Sequence, residues 1–221
     1  MEPRDGITDR LVHRPCARRL LPLLVRLRAS PNAVTLAGLL VVVASAAQFW
    51  HATPASAAFG VLLYVVAAVV DHADGDLARL TGQATVLGRW LDLAVDTAGN
   101  TLIVLGIAVT ASADGHRRTS VLGLIATVGV AACAVLAHLL AGAASGPRGR
   151  EPAVLKLANR DGFYLALLGF TGALAGPRWL VPPLLGLLAV GSTVYAAICL
   201  RHLASLRGQR GWGGDHGDDD R

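Results

Sequence analysis

The chain has 221 residues, 53% of them apolar and only 16% charged, with a mean hydropathy of +0.52 and a formal net charge of +5. Soluble domains carry about 25% charged residues, so the charge deficit, together with apolar residues gathered in long blocks, argues against a soluble all-α protein. Three cysteines, Cys16, Cys133 and Cys199, give neither a disulfide framework nor a metal knuckle, and no nucleic-acid partner is expected.

The first ten residues are charged and polar, which is not the pattern of a secretory signal peptide. CARRLLPLLVRLRAS (16–30) then mixes arginines with leucines at helical spacing and predicts a short amphipathic helix lying on an anionic leaflet. Pro15 and Pro22 are expected to limit its length. Six apolar runs follow, at 33–49, 55–70, 97–113 (extending back to about 88), 119–142, 162–176 and 179–200. Each is near the roughly 17–25 residues of a membrane helix, and their Gly and Ala content suits close helix packing in lipid. The Gly176-Pro177 turn divides the last two. The predicted fold is an all-α integral membrane protein with six transmembrane helices behind an N-terminal interfacial helix. Its organisation reads as an N-terminal segment 1–30, a membrane domain 31–203 and a disordered Gly- and Asp-rich tail 204–221.

Charge orients the chain. With six spans, only Arg117, Arg118 and Arg178 of the twenty Lys and Arg residues fall on the side opposite the termini. The positive-inside rule then predicts a multi-pass protein of the cell membrane with both termini cytoplasmic.

The unusual stretch is DHADGDLARLTGQATVLGRWLDLAVD (71–96), which puts five aspartates between two apolar runs. Asp71 and Asp74 are three apart at the end of the second span. Asp92 and Asp96 are four apart at the start of the third, so each pair shares a helical face. The connection read over 77–89 folds the chain back and lets the pairs meet. An intramembrane Asp costs about 2.5–3.5 kcal/mol at a helix centre and less near the interface. Four together therefore require positive charge among them, and Arg79 and Arg89 cannot neutralise them all. Hard oxygen ligands suit Mg²⁺ or Mn²⁺, and four carboxylates can hold two such ions. A single aspartate here would read as a helix-end residue reaching water; two facing pairs do not. Gly75 and Ala78 leave room for a ligand at the backbone, Arg79 suits a phosphate, and Thr85 offers a hydroxyl. The site thus points to a pyrophosphate substrate.

The residues Asp71-x2-Asp74-Gly75-x2-Ala78-Arg79-x8-Gly88-x3-Asp92-x3-Asp96 resemble the full signature of the CDP-alcohol phosphotransferases (CDP-alcohol phosphatidyltransferases), and SPNAVT (30–35) resembles the PNxxT segment common before their first span. The resemblance covers about residues 30–200. It implies metal ligation by Asp71, Asp74, Asp92 and Asp96, with Asp96 also the general base on the acceptor hydroxyl. It implies CDP binding by Asn32, Thr35, Gly75, Ala78, Arg79, Thr85 and Gly88. It further implies a homodimer, and transfer of a phosphatidyl or other phospho-alcohol group from a CDP-alcohol, CDP-diacylglycerol above all, with release of CMP. A soluble donor such as CDP-inositol is the alternative. Asp76 lies outside the signature and is expected to face water or the basic loop.

Acceptor binding is assigned to Lys156, Arg160 and Arg201, with Asp161 pairing with Arg160 or meeting an acceptor hydroxyl. The loop GPRGREPAVLKLANRDGF (146–163) lacks the GKxKT-like stretch of glycerophosphate users, and its NRDGF resembles inositol-phosphate or polyol-phosphate users. A cation transporter would need acidic residues at mid-depth in other spans, and those spans have none. An inactive scaffold would have no use for a complete aspartate set.

Overall fold

The computed structural model describes residues 6–113, 117–144 and 160–212. Those residues are helical, with no strand among them. A π-helical turn, Asp9–His13, leads into α1 (Arg14–Arg26). Then come α2 (Pro31–Phe49), α3 (Pro54–Leu80), α4 (Val86–Ser112), α5 (Arg117–Ala144), α6 (Arg160–Ala175), a short 3₁₀ turn Arg178–Leu180 and α7 (Val181–Trp212).

Local chemistry sets several helix ends. Ser30, Thr53 and Thr85 are extended N-cap residues whose hydroxyls accept from the backbone N–H three residues on, at Ala33, Ser56 and Gly88. Pro31 and Pro54 follow two of these caps, where a missing N–H costs nothing. At the end of α3, Gly82 has φ +68° and its N–H meets Arg79 O, while Gln83 N–H donates to Ala78 O at 2.9 Å. This is a Schellman stop with glycine in the left-handed position it favours.

Those two signals correct the expected 77–89 connection. α3 runs on through Leu80 and α4 starts at Val86, so only residues 81–85 link them. The acidic and basic residues of DLARL look like a loop by composition, but they are acceptable in a helix and nothing stops it before Gly82. Pro22 likewise lies inside α1 instead of ending it, in a helix that packs along α3. α7 continues to Trp212, into the segment expected to be a disordered tail from residue 204. The rest of that tail, 213–221, is outside the described residues.

Five helical stretches are long and apolar enough to cross a membrane: Pro31–Phe49, Pro54–Leu80, Val86–Ser112, Arg117–Gly142 and Arg178–Leu206. α6 has 16 residues, about 24 Å at 1.5 Å per residue, short of a hydrocarbon core of about 30 Å. The outward faces are apolar, with Leu36, Leu40, Leu62, Leu124, Val128 and Leu165 exposed. Such a surface is stable in lipid and not in water.

α2 packs on α3 and α4, and α5 packs on α4 and α7. The main core joins Val42, Phe49, Tyr64, Ile103, Leu167 and Phe170. Small residues bring the helices close. A Cβ on Gly99 of α4 would lie 2.5 Å from Val42 Cγ2 of α2, so the α2–α4 contact depends on that glycine. Across α2 and α3, Ser45 Oγ donates to Gly60 O at 2.8 Å, satisfying a buried hydroxyl.

Candidate metal and nucleotide site

The aspartates sit on two helices joined by five residues. Asp71, Asp74 and Asp76 belong to the last turns of α3, and Asp92 and Asp96 to the first turns of α4. Helical periodicity faces Asp71 and Asp74 toward α4, and the antiparallel return brings Asp92 opposite them. One carboxylate oxygen from each of Asp71, Asp74 and Asp92 lies within 4.8 Å of the others. Asp96 is outside that group of three but lines the same narrow cleft as Asp71, Asp74 and Thr35. The expected four-aspartate site is therefore a triad with a fourth carboxylate beside it.

Two ionised carboxylates at this spacing repel by roughly 3–4 kcal/mol at an effective dielectric near 20. The triad adds burial to this, because Asp74 is only 7% exposed. Hard anionic oxygens close enough to share a cation, at one end of two helices, fit Mg²⁺ or Mn²⁺.

Thr35 on α2 completes the triad's wall. Its Oγ1 donates to Asp74 Oδ2 at 2.7 Å and lies 3.1 Å from Pro31 O, one turn back. Thr35 was expected on the nucleotide; in this structure its hydroxyl holds the Asp74 carboxylate. Gly38, Ala67 and Ala68 line the cleft together with Val42, Tyr64 and Val95.

The other expected CDP contacts surround the cleft mouth. Asn32 is exposed at the start of α2, and a Cβ on Gly88 would lie 4.0 Å from Asn32 Oδ1 and 3.2 Å from Thr85 Oγ1. Asn32, Thr85 and Gly88 are thus neighbours, although 53 residues or more separate Asn32 from the other two in the chain. Thr85 Oγ1 accepts the Gly88 N–H at 2.9 Å, which leaves its own proton for a ligand. Arg79 folds back over Gly75, where a Cβ would sit 3.7 Å from its Nη1, and Ala78 is half-buried beside it. Arg79 Nη2 donates to Asp76 Oδ1 at 2.6 Å, and the arginine side chain is 60% exposed. Asp76, expected to face water or the loop, is instead a brace for Arg79.

Arg201 is exposed on α7. Lys156 lies outside the described residues, and so does the side chain of Arg160, whose backbone opens α6. The Asp161 carboxylate, expected beside Arg160 or an acceptor hydroxyl, accepts from Ile7 N (2.6 Å), Thr8 N (3.0 Å) and Thr8 Oγ1, tying the N-terminal segment to α6. That partner, more than 150 residues away, leaves no trace in local sequence.

A second, larger cavity of about 800 Å³ opens from Asp96 between α4, α5, α6 and α7. Asn100, which accepts from Tyr64 Oη at 2.8 Å, and Tyr195 give it a little polarity; Val104, Phe163, Leu188 and Ile198 make most of it apolar. Asp96 lines both spaces. No sequence pattern announced this cavity, because its walls come from four helices.

A bundle with lipid-type outer faces and a carboxylate triad at one end of two helices defines a multi-pass helical membrane protein with an acidic cluster of a kind that could hold a divalent cation. The chain matches the CDP-alcohol phosphatidyltransferase family over residues 28–197 and belongs to it. Among characterised relatives, archaetidylinositol phosphate synthase of Pyrococcus horikoshii is 34% identical over 86 residues, a stretch that covers 39% of this chain and 44% of that protein. Among solved structures, phosphatidylinositol phosphate synthase of Mycobacterium tuberculosis with CDP-DAG bound matches at a TM-score of 0.63 and 20% identity, over 95% of this chain and 98% of that one. The same protein in complex with manganese and citrate matches equally, over 93% of its chain. At this identity the likeness establishes a shared fold.

Proposed function

We propose that this protein transfers a phosphatidyl group from CDP-diacylglycerol to a hydroxyl of a polyol phosphate, inositol phosphate first, releasing CMP. The observation that carries this reading is the convergence of Asp71, Asp74 and Asp92 with Asp96 alongside, in a chain of the CDP-alcohol phosphatidyltransferase family. The names of its relatives, two inositol-phosphate-type synthases, favour the acceptor, as does the NRDGF loop.

Asp71, Asp74, Asp92 and Asp96 would hold two Mg²⁺ or Mn²⁺ ions, which when bound neutralise charge on the donor pyrophosphate and on the departing CMP. Arg79, braced by Asp76, neutralises a phosphate oxygen beside Gly75. Asn32, Thr85 and Gly88 border the nucleotide. Asp96 accepts the acceptor's proton as its oxygen bonds to the β-phosphorus and the bond from that phosphorus to the CMP oxygen breaks. The large apolar cavity that starts at Asp96 matches an acyl chain in character, so lipid and nucleotide parts of one donor meet at the reacting atom. Lys156, Arg160 and Arg201 are proposed for the acceptor phosphate.

In the bilayer, α6 serves as a short sixth span, both termini and the aspartates face the cytoplasm, and α1 lies at the interface with its arginines on anionic lipid. A homodimer in the plasma membrane is proposed on the family resemblance.

The test uses the full chain in detergent with labelled CDP-diacylglycerol and glycerol 3-phosphate, inositol, inositol 1-phosphate or serine. CMP release that needs Mg²⁺ or Mn²⁺ and is fastest with inositol 1-phosphate is expected. No turnover with any pair, and no metal-dependent binding of CDP, would overturn the reading.

A further inference from the structure

Beside Asp71, a second set of side chains with metal-ligand chemistry is buried. The π-helical turn places Asp9 and His13 on one face, with His13 Nδ1 2.8 Å from Asp9 Oδ1. His72, next to Asp71 on α3, brings its Nε2 to 3.4 Å from the same oxygen. Asp9 is 7% exposed, His13 1%, and the His72 side chain 16%. One donor atom from each of the three lies within 4.8 Å of the others.

The far atom of every one of these side chains is also held. Gly6 N donates to Asp9 Oδ2 at 3.1 Å, Tyr164 Oη lies 2.9 Å from His13 Nε2, and His72 Nδ1 lies 2.8 Å from Ala68 O. Metal-binding histidines are commonly oriented in this way, by a partner on the nitrogen that does not ligate. Ala68 O can only accept, so His72 Nδ1 carries a proton and, in the neutral ring, Nε2 carries the lone pair. That nitrogen is the one turned toward the Asp9 carboxylate oxygen. Ligands about 2.0–2.1 Å from a tetrahedral ion stand roughly 3.3–3.4 Å apart. The His72–Asp9 separation has this value, and the His13–Asp9 pair would open by about half an ångström as the ion replaces the shared proton.

We infer that Asp9, His13 and His72 bind a transition-metal ion of the Zn²⁺ class, at a site separate from the aspartate triad. Two imidazoles and one carboxylate select a borderline ion over Mg²⁺, which prefers an octahedron of oxygens. Bound there, the ion clasps the N-terminal segment to α3, and through Tyr164 to α6. His72 Nδ1 is 3.8 Å from Asp71 Oδ2, so the clasp abuts the catalytic cleft. The inference stands whether or not the chain transfers phosphatidyl groups.

The test strips the full-length protein in detergent with a chelator, saturates it with Mg²⁺ to fill the carboxylate site, and titrates Co²⁺ by visible absorption, followed by displacement with Zn²⁺. One equivalent with the intense band of a four-coordinate N/O site is expected. His72→Gln and His13→Gln should each weaken it on the order of 100-fold, while Asp92→Asn leaves it intact. Zn²⁺ should raise the melting temperature of the parent and of Asp92→Asn, and not that of His72→Gln. Equal Co²⁺ affinity in the parent and the His variants would mean adventitious binding at other histidines and overturn the site. An absence of binding under Mg²⁺ would show the three groups to be a hydrogen-bonded cluster only. Should His13→Gln fail to fold, His72→Gln, at a partly exposed position, carries the comparison alone.

Discussion

Thr35 Oγ1 donates to Asp74 Oδ2 at 2.7 Å, joining α2 to a carboxylate of the α3–α4 triad inside the protein. A hydrogen bond to a charged group contributes about 1.5–3 kcal/mol, and a buried carboxylate that loses it must find another partner or give up its charge. The first span thus reaches the carboxylate triad through one hydroxyl.

Thr35→Val, nearly the same shape without the donor, should weaken Mn²⁺ binding on the order of ten- to a hundredfold, and Thr35→Ser should restore most of it. Metal titration by calorimetry distinguishes this from a nucleotide contact, which would change CDP affinity and leave metal affinity alone.

Asp92 and Asp96 lie one turn apart but should fail differently. Asp92 belongs to the close triad, so Asp92→Asn should lose metal-dependent CDP binding. Asp96→Asn should keep much of that binding while turnover falls about 10²–10⁴-fold, the usual contribution of a positioned base. Full activity in Asp96→Asn would remove it from the base role.

Arg79 and Asp76 form a mostly exposed pair, worth about 1 kcal/mol or less to stability. Arg79→Ala should therefore leave the melting temperature nearly unchanged and raise KM for the CDP donor on the order of tenfold or more. Asp76→Asn, which frees the guanidinium without removing it, should raise KM by less than Arg79→Ala does. Equal effects would mean that Asp76 meets the substrate itself.

Gly99→Ala should destabilise the protein by about 1–3 kcal/mol through overpacking, because the new methyl meets Val42. All three atoms crowding it belong to the Val42 side chain, so Val42→Ala in the same chain should recover most of the loss. Thermal unfolding of the two single variants and the double variant in detergent measures that coupling. Recovery of activity alongside stability would link the α2–α4 spacing to the geometry of Thr35, Asp92 and Asp96.

Much of this protein is decided within short windows of sequence. Apolar blocks of membrane length and the 71–96 pattern are local or periodic, so five of the six expected spans, the two carboxylate faces and the family could be read directly. The read link between those faces was too long, because composition at 77–80 outweighed the stop at Gly82 and the cap at Thr85. Other relationships join residues far apart in the chain and have no periodic signal. Thr35 supports Asp74, and Asp161 ties to residues 7 and 8. His72 looks like a spacer between Asp71 and Asp74 until Asp9 and His13 arrive beside it. Sequence alone determined the family and which aspartates come together at one end of two helices. Helix packing decided which of them touch, because side chains buried between helices must take whatever polar partner the neighbouring helix offers.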